Sequence, residues 1–238
     1  MNQESIDESK LCIFCGKDES AGEMNVEHFV PRALWDKERP TSTKTAPAHV
    51  TCNKSFSDDN DYFRDVLVFE ECENPHPEVV KLRNGTMKRK MEKRFGTIVK
   101  ELKDLKERPV LTQSGIYLGT QPTFVIDTER MNRVLSNVVR GCFWQAAKRP
   151  FDPTTIIQVH DEKRMRHPAL QAVIQGLPGD WNSFGDDVFG CRYRSCPELH
   201  EDFFVCLMVF YKRRHYLGVT APKEVRDRIS NEEGLPRI

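Results

Sequence analysis

The stretch NVEHFVPRAL (25–34) places a carboxylate and an imidazole side by side, Glu27 then His28, in a short β-prone run that ends at Pro31. Successive side chains of a strand point to opposite faces, so these two cannot share one core. At least one of them must meet solvent, a metal or a substrate. Downstream, HVTCNKSF (49–56) supplies Asn53 directly after Cys52. A carboxylate and an amide oxygen are hard ligands suited to Mg2+ or Mn2+. An imidazole, with an unperturbed pKa of about 6.5, is mostly neutral near pH 7 and can take a proton from water. A divalent metal, a general base and a rigid frame are what phosphodiester hydrolysis needs.

The frame is written in the cysteines, of which the 238-residue chain has eight. The polar, acidic start MNQESIDESK has no apolar stretch of a signal peptide, and the longest apolar run, FFVCLMVFY (203–211), is too short to span a bilayer. The expectation is therefore a soluble, cytoplasmic protein, in which closely paired cysteines hold zinc more often than they form disulfides. Cys12 and Cys15 form a C-x2-C knuckle with Gly16 just after it, and His49-x2-Cys52 follows. Two such pairs make the closed N/S set of a structural Zn2+ site. Unrelated thiols near a terminus are the plainer alternative, and the paired spacing weighs against it. With zinc bound, residues 12 and 15 would be tied to 49 and 52. The intervening segment would become a closed loop carrying Glu27 and His28, with Asn53 pinned beside a ligand.

Taken together, CIFC, VEHFVPRAL and HVTCNK resemble the HNH endonucleases, the ββα-metal nucleases. The layout is most similar to the zinc-bearing subgroup that includes phage recombination endonucleases. The resemblance covers residues 1–72. It implies that His28 is the general base, that Glu27 and Asn53 hold Mg2+ or Mn2+, and that Cys12, Cys15, His49 and Cys52 hold zinc. It also implies cleavage of DNA to 5′-phosphate and 3′-hydroxyl ends; RNA would suit the same chemistry. The chain departs from the family pattern in four places. Glu27 stands where Asp is commoner, and His-x2-Cys stands where Cys-x2-Cys is usual. TSTKTAP (41–47) lacks the middle Asn of many members, and Ser57 lies near the place of a final His. These departures sustain a second reading, a zinc-stabilised module that binds nucleic acid or protein and whose nuclease site has decayed.

Positioning these residues requires an α+β chain: a zinc-stabilised ββα module (1–72), a basic helical linker (73–109) and an α+β domain with a largely antiparallel sheet (110–238). Ser57 is placed as the N-cap of a helix over 57–70, with Phe63, Val66 and Leu67 on one face. Pro75 and Pro77 mark a joint. A helix is expected over 86–108 from the spacing of Met91, Phe95, Ile98, Leu102 and Leu105. Asp127 or Thr128 caps the clearest helix, whose stripe runs from Met131 to Phe143. Strands are expected in VLTQSGIYLG, PTFVID, TIIQVH, DVFGCRYRS, FFVCLMVFY and YLGVTAP.

Lys plus Arg equal Asp plus Glu at 36 each, so no global charge advertises a polyanion partner. A local stripe remains available for nucleic acid: Arg32 and Lys54 near the motif, then Lys88, Arg89, Lys90, Lys93 and Arg94, which read otherwise as an ordinary solvated face. Cys191, Cys196 and His200 have a spacing that could suit a second metal, although a strand cysteine and two loop residues is the simpler account. Cys142 and Cys206 fall in apolar runs and read as core. The second half shows no acid, base and ligand cluster, so it is expected to position substrate or partner.

Overall fold

Strand β1 (Met24–His28) pairs antiparallel with β2 (Thr45–His49) in the computed structural model, which describes residues 7–37, 40, 44–54, 56–70, 74–93, 106–112 and 114–224. Glu27 lies opposite Ala46 and Asn25 opposite Ala48, and both alanines are buried. Their small side chains leave room on that face for polar groups arriving from above. Helix α1 (Val50–Lys54) follows β2 without a loop, and the Val50 N–H donates to the carbonyl of Glu23 at 2.8 Å, which draws the helix back over the hairpin. The local order is thus strand, strand, helix.

Helix α2 (Ser57–Glu70) has the expected bounds and buries Phe63, Val66 and Leu67. Its first carbonyl acceptor is Phe56, which receives the Asn60 N–H at 3.0 Å, so Ser57 is the first helical residue and not the cap. The joint expected at Pro75 and Pro77 separates α2 from α3, and it is also where α3 starts. The His76 ring accepts the Glu78 N–H at 3.2 Å, and Pro77 opens α3 (Pro77–Leu82), where a missing N–H costs nothing. A π turn (Arg83–Met87) carries α3 on into helical residues 88–93.

The helix expected over 86–108, and with it the helical linker over 73–109, stops short of its predicted end. Lys106–Leu111 is strand β3, paired with β4 (Tyr117–Thr123). Pro109 rules out helix there, and a two-stranded ribbon tolerates it because both strands are edges. Residues 94–105, Arg94 among them, lie outside the described residues. VLTQSGIYLG is not a single strand, since Gly115 at φ +86° turns the chain between β3 and β4. The strand expected in PTFVID ends at Thr123.

Helix α4 (Thr128–Ala147) runs as expected from the Asp127 cap, whose carboxylate accepts the Arg130 N–H at 3.3 Å, to Lys148 in the left-handed region. It covers one face of a five-stranded antiparallel sheet formed by β5 (Ile156–Asp161), β6 (Asn182–Phe184), β7 (Phe189–Ser195), β8 (Phe204–Phe210) and β9 (Arg214–Ala221). The strand order is β5-β9-β8-β7-β6. The second face is covered by two short helices that the apolar periodicity does not announce, α5 (Glu162–Met165) and α6 (Pro168–Gln175). This explains why β8 is apolar at nearly every position: Phe204, Cys206, Met208 and Phe210 join the α4 side, while Val205 and Leu207 pack with Met165 and Leu177. The α+β class with antiparallel sheets is the observed one. Among the described residues, no helix is long and apolar enough to cross a membrane.

One buried cluster runs from Phe29 through α2 and α4 to Tyr211, so the N-terminal hairpin and the sheet share a core. Helix α4 makes the junction at Gly141, where an added Cβ would sit 1.9 Å from the Phe29 ring. The Gln145 amide also reaches the Thr45 carbonyl at 3.2 Å, and the Tyr211 hydroxyl donates to the carbonyl of Leu34 at 2.9 Å. Replacing Gly141 with Ala should cost about 1–3 kcal/mol or more, since neither ring nor helix backbone can yield that distance. Gly179, with nothing within 4 Å of its virtual Cβ, is the control and should accept Ala nearly neutrally. Urea melts of the two variants test this.

Candidate metal centre and candidate active site

The two cysteine-bearing segments meet. Gly16, at φ +69°, closes the knuckle by donating its N–H to the Cys12 carbonyl at 2.8 Å. Buried Ile13 ties the knuckle to β2 through its N–H on the Pro47 carbonyl at 3.0 Å. His49 ends β2 and Cys52 lies one turn into α1. The result places ligand atoms of Cys12, Cys15, His49 and Cys52 within 4.8 Å of one another. Three thiols and an imidazole at that spacing can hold a tetrahedral zinc.

The electrostatics suit a cation. Nε2 of His49 lies 2.8 Å from the carbonyl of Asp18, which only accepts, so that nitrogen carries the proton. Nδ1 is left facing Cys15 Sγ at 3.3 Å, the tautomer a metal requires. Burial would raise the Cys12 thiol, yet N–H donors from His49, Cys15 and Phe14 bring it below its ordinary value. Burial, together with the charge of Cys12 and Cys15, pushes Cys52 up to about 11. The three sulfur atoms crowd one another, and a bound cation would join them.

Glu27 and Asn53, far apart in sequence, are brought together. The Asn53 side chain hydrogen-bonds the Glu27 carboxylate, and the His28 backbone N–H donates to the same group. Asn53 Nδ2 also lies 3.4 Å from Asn25 Oδ1, a neighbour the sequence reading missed. The period-2 register that puts Asn25 and Glu27 on one face is the signal that could have found it. Burial raises Glu27 to about 7, with only the Asn53 amide and the His28 N–H pulling the other way. Among the described residues no cationic side chain pairs with this carboxylate. A half-buried carboxyl with an amide beside it, and no cation among the described residues, could hold a hard divalent ion. His28, half-buried, is the last residue of β1, where strand alternation sets its ring on the other side of the chain from Glu27.

The residues assigned to nucleic-acid contact are scattered and partly committed. Arg32 and Lys54 are exposed, as are Lys88 and Lys93. Lys90 is bound to Asp65 at 2.7 Å and Arg89 reaches Asp36 at 3.4 Å, so these two serve internal ion pairs. Cys191 does not face Cys196 and His200. Its thiol meets Cys142, at 3.9 Å, and Cys206 in a fully buried group drawn from α4, β7 and β8. Burial pushes Cys206 well up, and hydrogen bonds to Cys191 and Cys206 together with burial do the same for Cys142, so both are protonated core residues. His200 instead pairs with Glu224 at 3.3 Å.

No family model, curated protein or solved structure matches the chain.

Protein purified from zinc-supplemented medium should carry one zinc per chain by elemental analysis. Cys12→Ser should lose the metal and unfold the N-terminal hairpin, whereas Cys196→Ser should retain both. Glu27 generates a second expectation for chain without a divalent ion at the carboxylate. Its folded pKa of about 7 exceeds the unfolded value near 4.5, so the folded state binds the extra proton between those limits. Stability should therefore fall as pH rises from about 4.5 to about 7. Glu27→Gln should flatten that slope in chemical melts at a series of pH values.

Proposed function

We propose that the chain is a zinc-stabilised, divalent-metal-dependent endonuclease of the HNH type, hydrolysing phosphodiester bonds in DNA. The observation that carries the reading is the meeting of Glu27 and Asn53 on a hairpin framed by the Cys/His cluster. The carboxyl is half-buried, has no cationic partner among the described residues, and has an amide beside it. The motif order of the sequence and the strand–strand–helix order support the same reading.

In this reading Cys12, Cys15, His49 and Cys52 hold zinc as a structural centre, closing the loop that carries the reactive residues. Glu27 and Asn53 would hold Mg2+ or Mn2+ through their carboxylate and amide oxygens. Asn25 keeps the Asn53 amide oriented. When bound, the ion supplies a positive charge for the scissile phosphate and for the leaving 3′ oxygen. His28 takes the proton of the attacking water at the end of β1. The exposed Arg32 and Lys54 flank the hairpin and meet neighbouring phosphates.

Nicking of supercoiled plasmid with Mg2+ or Mn2+ tests the proposal. His28→Ala should lose about 10²–10⁴ in rate with binding retained, the usual range for a general base. Asn53→Ala and Glu27→Gln should move any residual activity to higher metal concentration. Wild-type-like cleavage by His28→Ala would sink the assignment. Intact plasmid with either metal, together with tight nucleic-acid binding, would favour the decayed-module reading that the missing middle Asn and final His leave open.

A further inference from the structure

Helix α4 carries one cation whose surroundings differ from those of its neighbours. Arg130 and Arg133 are both held by Asp59, at 2.8 and 2.7 Å, and Arg149, just past the helix, is held by Asp202 at 2.6 Å. Arg140 has no carboxylate at ion-pair distance and no hydrogen bond among the described residues, although it is half-buried. Burial weighs against its charge, and only the Cys12 thiolate offsets that. A half-sheltered guanidinium with no partner is a standing demand for an anion.

Arg140 opens onto a groove of about 510 Å3 along the face of α4 that presents Asn132, Arg133, Ser136 and Asn137. The opposite wall is the pair Phe14 and Phe56, whose ring centroids lie 5.0 Å apart at a 43° tilt. Both rings are half-buried, so part of each faces the groove. The acid that lines it, Glu129, sits eleven residues from Arg140, about 16 Å along the helix axis. Phe56 connects the groove to the candidate active site, since its N–H donates to the Asn53 carbonyl at 3.2 Å.

We propose that this groove binds a single-stranded segment of nucleic acid beside the cleavage site, with Arg140 on a phosphate and the Phe14–Phe56 pair against a base. The proposal deepens the endonuclease reading and rests on it for what the groove is used for. A guanidinium fork matches phosphate oxygens two at a time. Aromatic faces take bases that are not already stacked in a duplex, while amide and hydroxyl groups such as Asn132, Ser136 and Asn137 can reach base edges. The substrate class is therefore DNA or RNA with an unpaired stretch next to the bond that is cut, in preference to uniform duplex.

Fluorescence anisotropy of the full, zinc-loaded chain, without added Mg2+ or Mn2+, tests this with a labelled single-stranded DNA oligonucleotide and its duplex. The single strand should bind more tightly than the duplex. Arg140→Ala should weaken single-strand binding about tenfold and lower the log–log salt slope by about 0.7, with one zinc retained. Arg140→Gln guards against a folding defect, and Arg140→Lys should fall between wild type and Ala. Equal affinity for single strand and duplex would overturn the proposal, as would an Arg140→Ala variant that binds like wild type. Zinc loss in Arg140→Ala would also overturn it, by making Arg140 the counter-charge of the three-thiolate centre. If plasmid is nicked but Arg140→Ala changes neither strand preference nor affinity, the groove fails and the endonuclease stands. If single-strand binding depends on Arg140 but no metal supports cleavage, the endonuclease fails and the groove stands.

Discussion

The convergence of Cys12, Cys15, His49 and Cys52 is the constraint on which the N-terminal architecture turns. It joins residues 12 and 15 to residues 49 and 52 at the base of the β1–β2 hairpin. Closing a chain of that length costs entropy that a two-stranded sheet cannot recover by itself. His49 works in three directions at once. Its backbone N–H meets Cys12 Sγ at 3.3 Å, its Nδ1 faces Cys15, and its Nε2 is fixed by Asp18. The register of β2 is therefore locked to the knuckle, and the register places Glu27 over Ala46. A shift of one residue would turn Glu27 outward and send His28 to the Asn53 side.

Helix α4 is the second constraint, because two otherwise separate hydrophobic surfaces are pressed onto it. One side carries Val138, Val139, Cys142 and Phe143 toward the sheet, where Phe143 meets Phe204 edge-on at 5.4 Å and stacks on Phe151 at 3.8 Å. The other accepts Phe29 at a position that only glycine can occupy. Phe29 directly follows His28, so the strand end that carries the candidate base is anchored through its neighbour to the core of the whole chain. The second half thus supports the hairpin by packing.

What was legible in the sequence was whatever local spacing encodes. The x2 pairs, the Asp127 cap, the stripe of α4 and the bounds of α2 all follow from patterns within a few residues, and the structure has them. What was illegible depended on partners distant in sequence. Lys90 and Arg89 look like a free basic stripe until Asp65 and Asp36 arrive from other elements. Cys191 meets Cys142 and Cys206, which come from α4 and β8, and no local spacing shows that grouping. The helices α5 and α6 are short, and the face they cover is revealed only by the two-sided apolar character of β8. Arg140 is the same lesson in reverse: an ordinary helix residue by type, distinguished only by the lack of a carboxylate partner among the described residues.

The Glu27 environment shows how the fold concentrates chemistry at low cost elsewhere. The buried charged residues Asp59, Arg64 and Asp65 are balanced by close ion pairs, with Asp59 shared by Arg130 and Arg133 and Asp65 shared by Arg64 and Lys90. Burial is tolerated there because opposite charges accompany it. Glu27 is the exception. It faces the small Ala46 across the hairpin, and among the described residues the side chain that answers it is the neutral Asn53 amide. Replacing it with an apolar residue would relieve that cost, so stability alone gives no reason for a carboxyl at this position. Among the described residues, the buried acids Asp59 and Asp65 each have a cation beside them, and half-buried Glu27 does not.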